Sequence, residues 1–142
     1  MNPFKRFWRS PPKNEPVYHP VRTEALVVED DPAQADMLCG LLRMQGALTT
    51  RAYNIAAALE VLNSKAQFQV AFIDLGLPNG SGSEVVRLIR ERRRGTHCVI
   101  VSGSPEKIML AASHGLVSVM QKPYSINSIR EVLTMMRLPH AD

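Results

Sequence analysis

From residue 23 onward, short apolar runs alternate with longer stretches in which apolar residues recur every three or four positions. The runs fall at residues 24–28, 47–51, 70–73, 98–101 and 116–120, each of strand length. The longer stretches read as amphipathic helices. Residues 32–45 place Met37, Leu38, Leu41, Leu42 and Gln45 at helical spacing, with Gly46 as a stop. Asn54 caps a second helix whose Ala58, Leu59 and Leu62 share a face; Ser83 caps a third through Arg94, with Val85, Leu88 and Ile89 inward. Pro105 opens a fourth that ends at Ser113, and residues 125–137 carry Ile126, Ile129, Leu133 and Met136 on one stripe.

Five strands separated by five helices require crossover connections, which are right-handed and put helices on both faces of a parallel sheet. The pattern therefore predicts an α/β fold with a doubly wound five-stranded parallel sheet. The near-continuous apolar runs LVV, VAFI and CVIV agree with strands buried on both faces. In open sheets of this kind ligands collect beyond the carboxyl ends of the strands. Glu29, Asp30, Asp74, Ser102 and Lys122 each follow one of these runs, so the fold would gather three carboxylates, a hydroxyl and an ammonium at one crevice. Three carboxylates at close range cannot all be ionised without a large Coulomb cost unless a proton or a cation neutralises them. Mg²⁺, which prefers hard oxygen donors, suits such a set and a phosphoryl group beside it. Asp31, immediately before Pro32, stands where a helix N-cap belongs.

Composition narrows the partners. The chain has 142 residues, the length of one domain, and a formal charge of +4. That whole excess lies in residues 1–22, where Lys5, Arg6, Arg9, Lys13 and Arg22 face Glu15 alone. The remainder is neutral, which argues against a nucleic-acid-binding face on the folded part. Residues 1–22 also hold five of the ten prolines and read as a flexible basic N-terminal extension, followed by a domain at 23–138 and a tail at 139–142. In the extension, Phe4, Phe7 and Trp8 interleave with Lys5, Arg6 and Arg9, which suits contact with an anionic membrane surface or nucleic acid, or a solvated tail that contacts nothing. Cys39 and Cys98 sit in apolar surroundings without metal-ligand spacing, as expected of packing residues in a reduced setting. No apolar stretch approaches the roughly 20 residues that cross a bilayer, and no signal peptide precedes the domain, so a cytoplasmic location is expected. The four histidines form no cluster, and the run of arginines at 90–94 reads as a solvated helix end.

The segments LVVEDDP (26–32), FIDLGLPNGSG (72–82), VIVSG (99–103) and Gly115 through Gln121-Lys122-Pro123-Tyr124 resemble, in order and spacing, the receiver domain of two-component response regulators. The resemblance covers about residues 23–138. It implies a flavodoxin-like, chemotaxis-regulator-like (βα)5 three-layer sandwich with strand order 2-1-3-4-5 and a phosphoryl group accepted on Asp74 from a histidine kinase or histidine phosphotransfer protein. It further implies Mg²⁺ held by Asp30, Asp74 and the backbone carbonyl of Gly76, with Glu29 acting through water, while Lys122 and Ser102 meet the phosphoryl group. On this pattern the chain is no enzyme beyond its own phosphorylation and hydrolysis. Only residues 138–142 follow the last helix, which predicts a stand-alone receiver that signals by contact with an effector protein or by homodimerising through the helix 4–strand 5–helix 5 face. The same layout also fits a receiver cut from a longer protein.

Two departures from the family pattern stand out. Val119 occupies the position, three before the lysine, where many receivers carry a switching aromatic, and Gly76 is smaller than the side chain often found two residues after the phosphoacceptor. Val119 motivates an alternative, a receiver-fold interaction module that works regardless of phosphorylation. A phosphohydrolase using Asp74 as nucleophile is a third reading, weakened because Leu75-Gly76 supplies no second acid as proton donor.

Overall fold

The computed structural model describes residues 22–76, 82–93, 95–113 and 118–137. Its ten elements alternate along the chain: β1 (Glu24–Val28), α1 (Pro32–Met44), β2 (Leu48–Ala52), α2 (Ile55–Leu62), β3 (Val70–Asp74), α3 (Ser83–Arg92), β4 (His97–Ser102), α4 (Pro105–Ser113), β5 (Ser118–Gln121) and α5 (Ile126–Arg137). The strands form one sheet in the order β2-β1-β3-β4-β5, every pairing parallel. This is the doubly wound topology expected from the alternation of strand and helix.

Why the sheet is covered on both faces follows from the two-residue period of a strand. Ala25, Val27, Val70, Phe72, Val99 and Val101 point to one side, where they pack with Leu38, Cys39 and Leu42 of α1 and Ile129, Val132 and Leu133 of α5. Leu26, Val28, Ala71, Ile73, Cys98 and Ile100 point to the other, against Ala58 and Leu62 of α2 and Val85 and Ile89 of α3. A continuous apolar run is therefore the only strand sequence that serves both layers. The cysteines are free and buried in opposite layers, and burial pushes the Cys98 thiol up to about 11.

Local chemistry sets most element ends. Asp31 is the N-cap of α1, accepting from the Ala33 and Gln34 backbone N–H groups, and Asn54 caps α2 through the Ala57 N–H. Gly46, with φ of 83°, takes the left-handed turn that releases the chain from α1 into β2. Three details depart from the sequence expectation. Met37 is half exposed, and the inner face of α1 is instead completed by the small residues Ala35 and Cys39. The N-cap of α3 is Gly82, with no side-chain cap bond, and Ser83 lies inside the helix. Gly82 packs so closely that a Cβ there would come within 2.8 Å of the Asp74 carbonyl oxygen and 2.9 Å of Ile73 Cγ2, so glycine is what lets α3 start against the end of β3. Finally, Arg93 is not a solvated side chain. Its guanidinium donates to the carbonyls of Leu62, Ser64 (2.6 Å) and Ala66 (3.0 Å), tying the α2–β3 connection to the end of α3.

The expectations for the N-terminal extension up to residue 21, for Pro78, Asn79 and Gly80 in the β3–α3 loop, for Arg94, Gly115 and the first two residues of the fifth strand, and for the 139–142 tail lie outside the described residues. Among the described residues, no helix is long and apolar enough to cross a membrane.

Candidate functional site

Strand register brings the candidate residues to one edge. Val28 pairs with Ile73 and Asp74 with Val101, so Glu29 leaves β1 abreast of Asp74 at the end of β3. Ser102 pairs with Gln121, and the Lys122 N–H donates to the Ser102 carbonyl at 2.8 Å, which places the lysine at the same carboxyl edge. Among the described residues the buried polar side chains are Thr23, Glu29, Asp74 and Ser102. Three of these four lie at this edge, a concentration that a purely structural sheet end does not need, because buried polar groups cost stability unless they are satisfied.

The geometry is that of an anionic pocket with one ammonium in it. Glu29, Asp30 and Asp74 each offer a carboxylate oxygen, all within 4.8 Å of one another, with Asp30 exposed and the other two buried. Lys122 Nζ donates to Glu29 Oε2 and Asp74 Oδ2, both at 3.2 Å. Gly76 joins the pocket through its N–H, which donates to Asp74 Oδ1 at 2.9 Å, and Glu29 Oε1 accepts from the Asp31 N–H at 3.3 Å. The Lys122–Pro123 peptide bond is cis. Ser102 is buried at the end of β4 next to the strand that carries Asp74, and its hydroxyl accepts from the Ser104 N–H at 3.1 Å.

One residue of this pocket, Gln34, is not singled out by the sequence pattern. Gln34 accepts from Lys122 Nζ through its side-chain carbonyl at 2.5 Å. The spacing Asp31-x-x-Gln34 is that of a capping box, a signal that points to a local bond at the helix start and not to a lysine 88 residues away. Tyr124 is half-buried, and burial, with the charges of Glu29 and Asp74, pushes its phenol up to about 12.

Charge crowding is visible at Glu29. Burial first, then the hydrogen bond and charge of Asp74, push its carboxyl up from 4.5 to about 7, against smaller opposing effects of the Asp31 N–H and Lys122. For Lys122 burial, the largest influence, disfavours the ammonium, but Asp74 and Glu29 outweigh it and raise its pKa. A group whose acid form is favoured on folding contributes stability that is complete below about pH 4.5 and lost as pH rises through about 7. In chelator, thermal melts should therefore show a fall in melting temperature across that range, removed in Glu29→Gln. An identical fall in Glu29→Gln would place its origin elsewhere.

The donor set suits a hard divalent cation. It consists only of oxygens, one carboxylate is open to solvent, and the buried carboxyl beside it resists ionisation because of its burial and its neighbour Asp74.

A family model for the response regulator receiver domain matches residues 25–134. The chain belongs to this family. Receiver domains are signalling modules of two-component systems, where they meet histidine kinases and effectors. The chain is 31% identical over 120 residues to the response regulator protein PilR of Pseudomonas aeruginosa, a match that covers 82% of this chain but 27% of PilR. A CheY-like receiver domain from Methylobacillus flagellatus superimposes with a TM-score of 0.75 at 29% identity, covering 82% of this chain and 99% of that one. The response regulator TrrA of Thermotoga maritima, whose structure is a complex with Mg²⁺ and BeF, shares the fold with a TM-score of 0.73 at 20% identity, over 80% of this chain and 98% of that one.

Proposed function

We propose that this receiver accepts a phosphoryl group on Asp74 from a histidine kinase or histidine phosphotransfer protein and signals by protein–protein contact. The observation that carries this reading is the Asp74 carboxylate, buried at 8% exposure yet hydrogen-bonded by Lys122 and Gly76 at the open edge of the sheet. A carboxylate is a nucleophile without a general base. One Asp74 oxygen attacks phosphorus, the bond from phosphorus to the donor's imidazole nitrogen breaks, and the imidazole leaves with the electron pair and takes up a proton.

Two side chains then act on the transferring phosphoryl. Lys122 turns its ammonium from the carboxylate to a phosphoryl oxygen, where charge develops. Ser102 offers its hydroxyl to another and draws the loop that follows β4 inward, which carries the local event to a distant surface. Asp30, Asp74 and the Gly76 carbonyl, with Glu29 behind them, would hold Mg²⁺, which would supply charge neutralisation for the carboxylates and the phosphoryl group. In this proposal the receiver works in the cytoplasm, and its output surface is the α4–β5–α5 face, through an effector or a second copy. Met109, Val119 and Met135 are exposed there.

A second reading rests on Val119. It stands 39% exposed on β5 and, being a short branched side chain, cannot swing inward as an aromatic can, so a contact surface independent of phosphorylation is the alternative. Incubation with acetyl phosphate separates the two. With Mg²⁺ the intact mass should rise by one phosphoryl group, and with excess chelator the labelling rate should fall by about two orders of magnitude or more. No labelling at any donor concentration would favour the phosphorylation-independent module.

A further inference from the structure

Lys122 is held by more than the two carboxylates that the proposed chemistry uses. Its Nζ donates to Glu29 Oε2 and Asp74 Oδ2 at 3.2 Å each, and to Gln34 Oε1 at 2.5 Å. An ammonium group has three N–H donors and no acceptor, so these bonds use it fully, and the carbonyl end of the Gln34 amide must be the end that faces it. The amide nitrogen turns the other way, to Asp31 Oδ2 at 3.4 Å. The second oxygen of Asp31 caps α1, accepting from the Ala33 N–H at 2.9 Å and the Gln34 N–H at 3.3 Å. Gln34 is thus tied to the N-cap by backbone and side chain alike, and it reaches the lysine from a rigid helix start.

We propose that Gln34 is a positioning residue for phosphoryl transfer to Asp74, fixing the Lys122 ammonium between Glu29 and Asp74 through its side-chain carbonyl. The proposal rests on the phosphoacceptor reading above. A lysine stem has four flexible carbons, and the Lys122 side chain is 23% exposed, so an ammonium without the Gln34 acceptor has rotamers that lead it out to water. The neutral amide supplies that acceptor without adding a fourth negative charge beside Glu29, Asp30 and Asp74. Transfer depends steeply on such placement, because a misplacement of about 1 Å in a positioned group can cost up to 10²-fold in rate.

The test compares initial rates of labelling by acetyl phosphate at saturating Mg²⁺ for wild type, Gln34→Leu, Lys122→Ala and the double variant, with Asp74→Asn as the control. Gln34→Leu should lower the rate about tenfold with its circular dichroism spectrum retained. In the Lys122→Ala background the same change should cost no more than about twofold, because its effect passes through the ammonium. Gln34→Met, of equal length and without the carbonyl acceptor, should behave as Gln34→Leu and serves if the latter does not fold. Equal rates for wild type and either Gln34 variant, or an equal loss in both backgrounds, would overturn the proposal alone. An unlabelled wild type would overturn the phosphoacceptor reading and this proposal with it.

Discussion

Asp74→Asn is expected to abolish labelling by acetyl phosphate and by any phosphohistidine donor while leaving the fold intact. The amide keeps the shape of the carboxylate and an oxygen to accept the Gly76 N–H, so the turn after β3 retains its bond. What it loses is the nucleophile, since an amide oxygen does not form a stable bond to phosphorus. The substitution also removes a charge from the crowded edge. Asp74 raises the Glu29 carboxyl both by its hydrogen bond and by its charge, so in Asp74→Asn that carboxyl should titrate closer to 4.5. Melting temperature at neutral pH should stay within a few degrees of wild type, whereas a labelled Asp74→Asn protein would mean that another side chain takes the phosphoryl group.

The second large effect belongs to Lys122→Ala. Removing a donor aimed at developing transition-state charge costs on the order of 10²–10³ in rate, and Lys122 is the ammonium that reaches Glu29 and Asp74 at 3.2 Å. Metal binding should respond in the opposite direction. Without the ammonium, the three carboxylates present an uncompensated field, so Mg²⁺ titrated in a calorimeter should bind at least as tightly as to wild type. A loss of labelling together with a loss of Mg²⁺ affinity would show that the lysine shapes the pocket instead of acting on the phosphoryl group.

How much of this could be read from the chain depends on the range of each interaction. Strands β1, β3 and β4 were legible because both their faces are buried, which leaves an uninterrupted apolar run. The hydropathy pattern places strand β2 one residue early, since as a sheet edge its Leu48 and Thr50 are exposed and only Ala52 is buried. In α1 the hydropathy pattern drew attention to Met37, while the core side is finished by Ala35 and Cys39, whose small size suits close helix–sheet packing but carries little periodic signal. The acids of the pocket were legible because each ends an apolar run. Gln34 was not, because nothing local distinguishes a glutamine that satisfies its own helix start from one that also anchors a lysine across the sheet edge. Arg93 escaped for the same reason: its three carbonyl partners lie 27 to 31 residues back in the chain.

The identity of the modified atom is the point on which the rest turns. An acyl phosphate is cleaved by borohydride to the corresponding alcohol, so the labelled protein can be reduced, digested and sequenced by mass spectrometry. Homoserine is expected at position 74, with unmodified acids at positions 29 and 30. Reduction product at Asp30 or Glu29, or labelled protein in which position 74 remains aspartate, would contradict it.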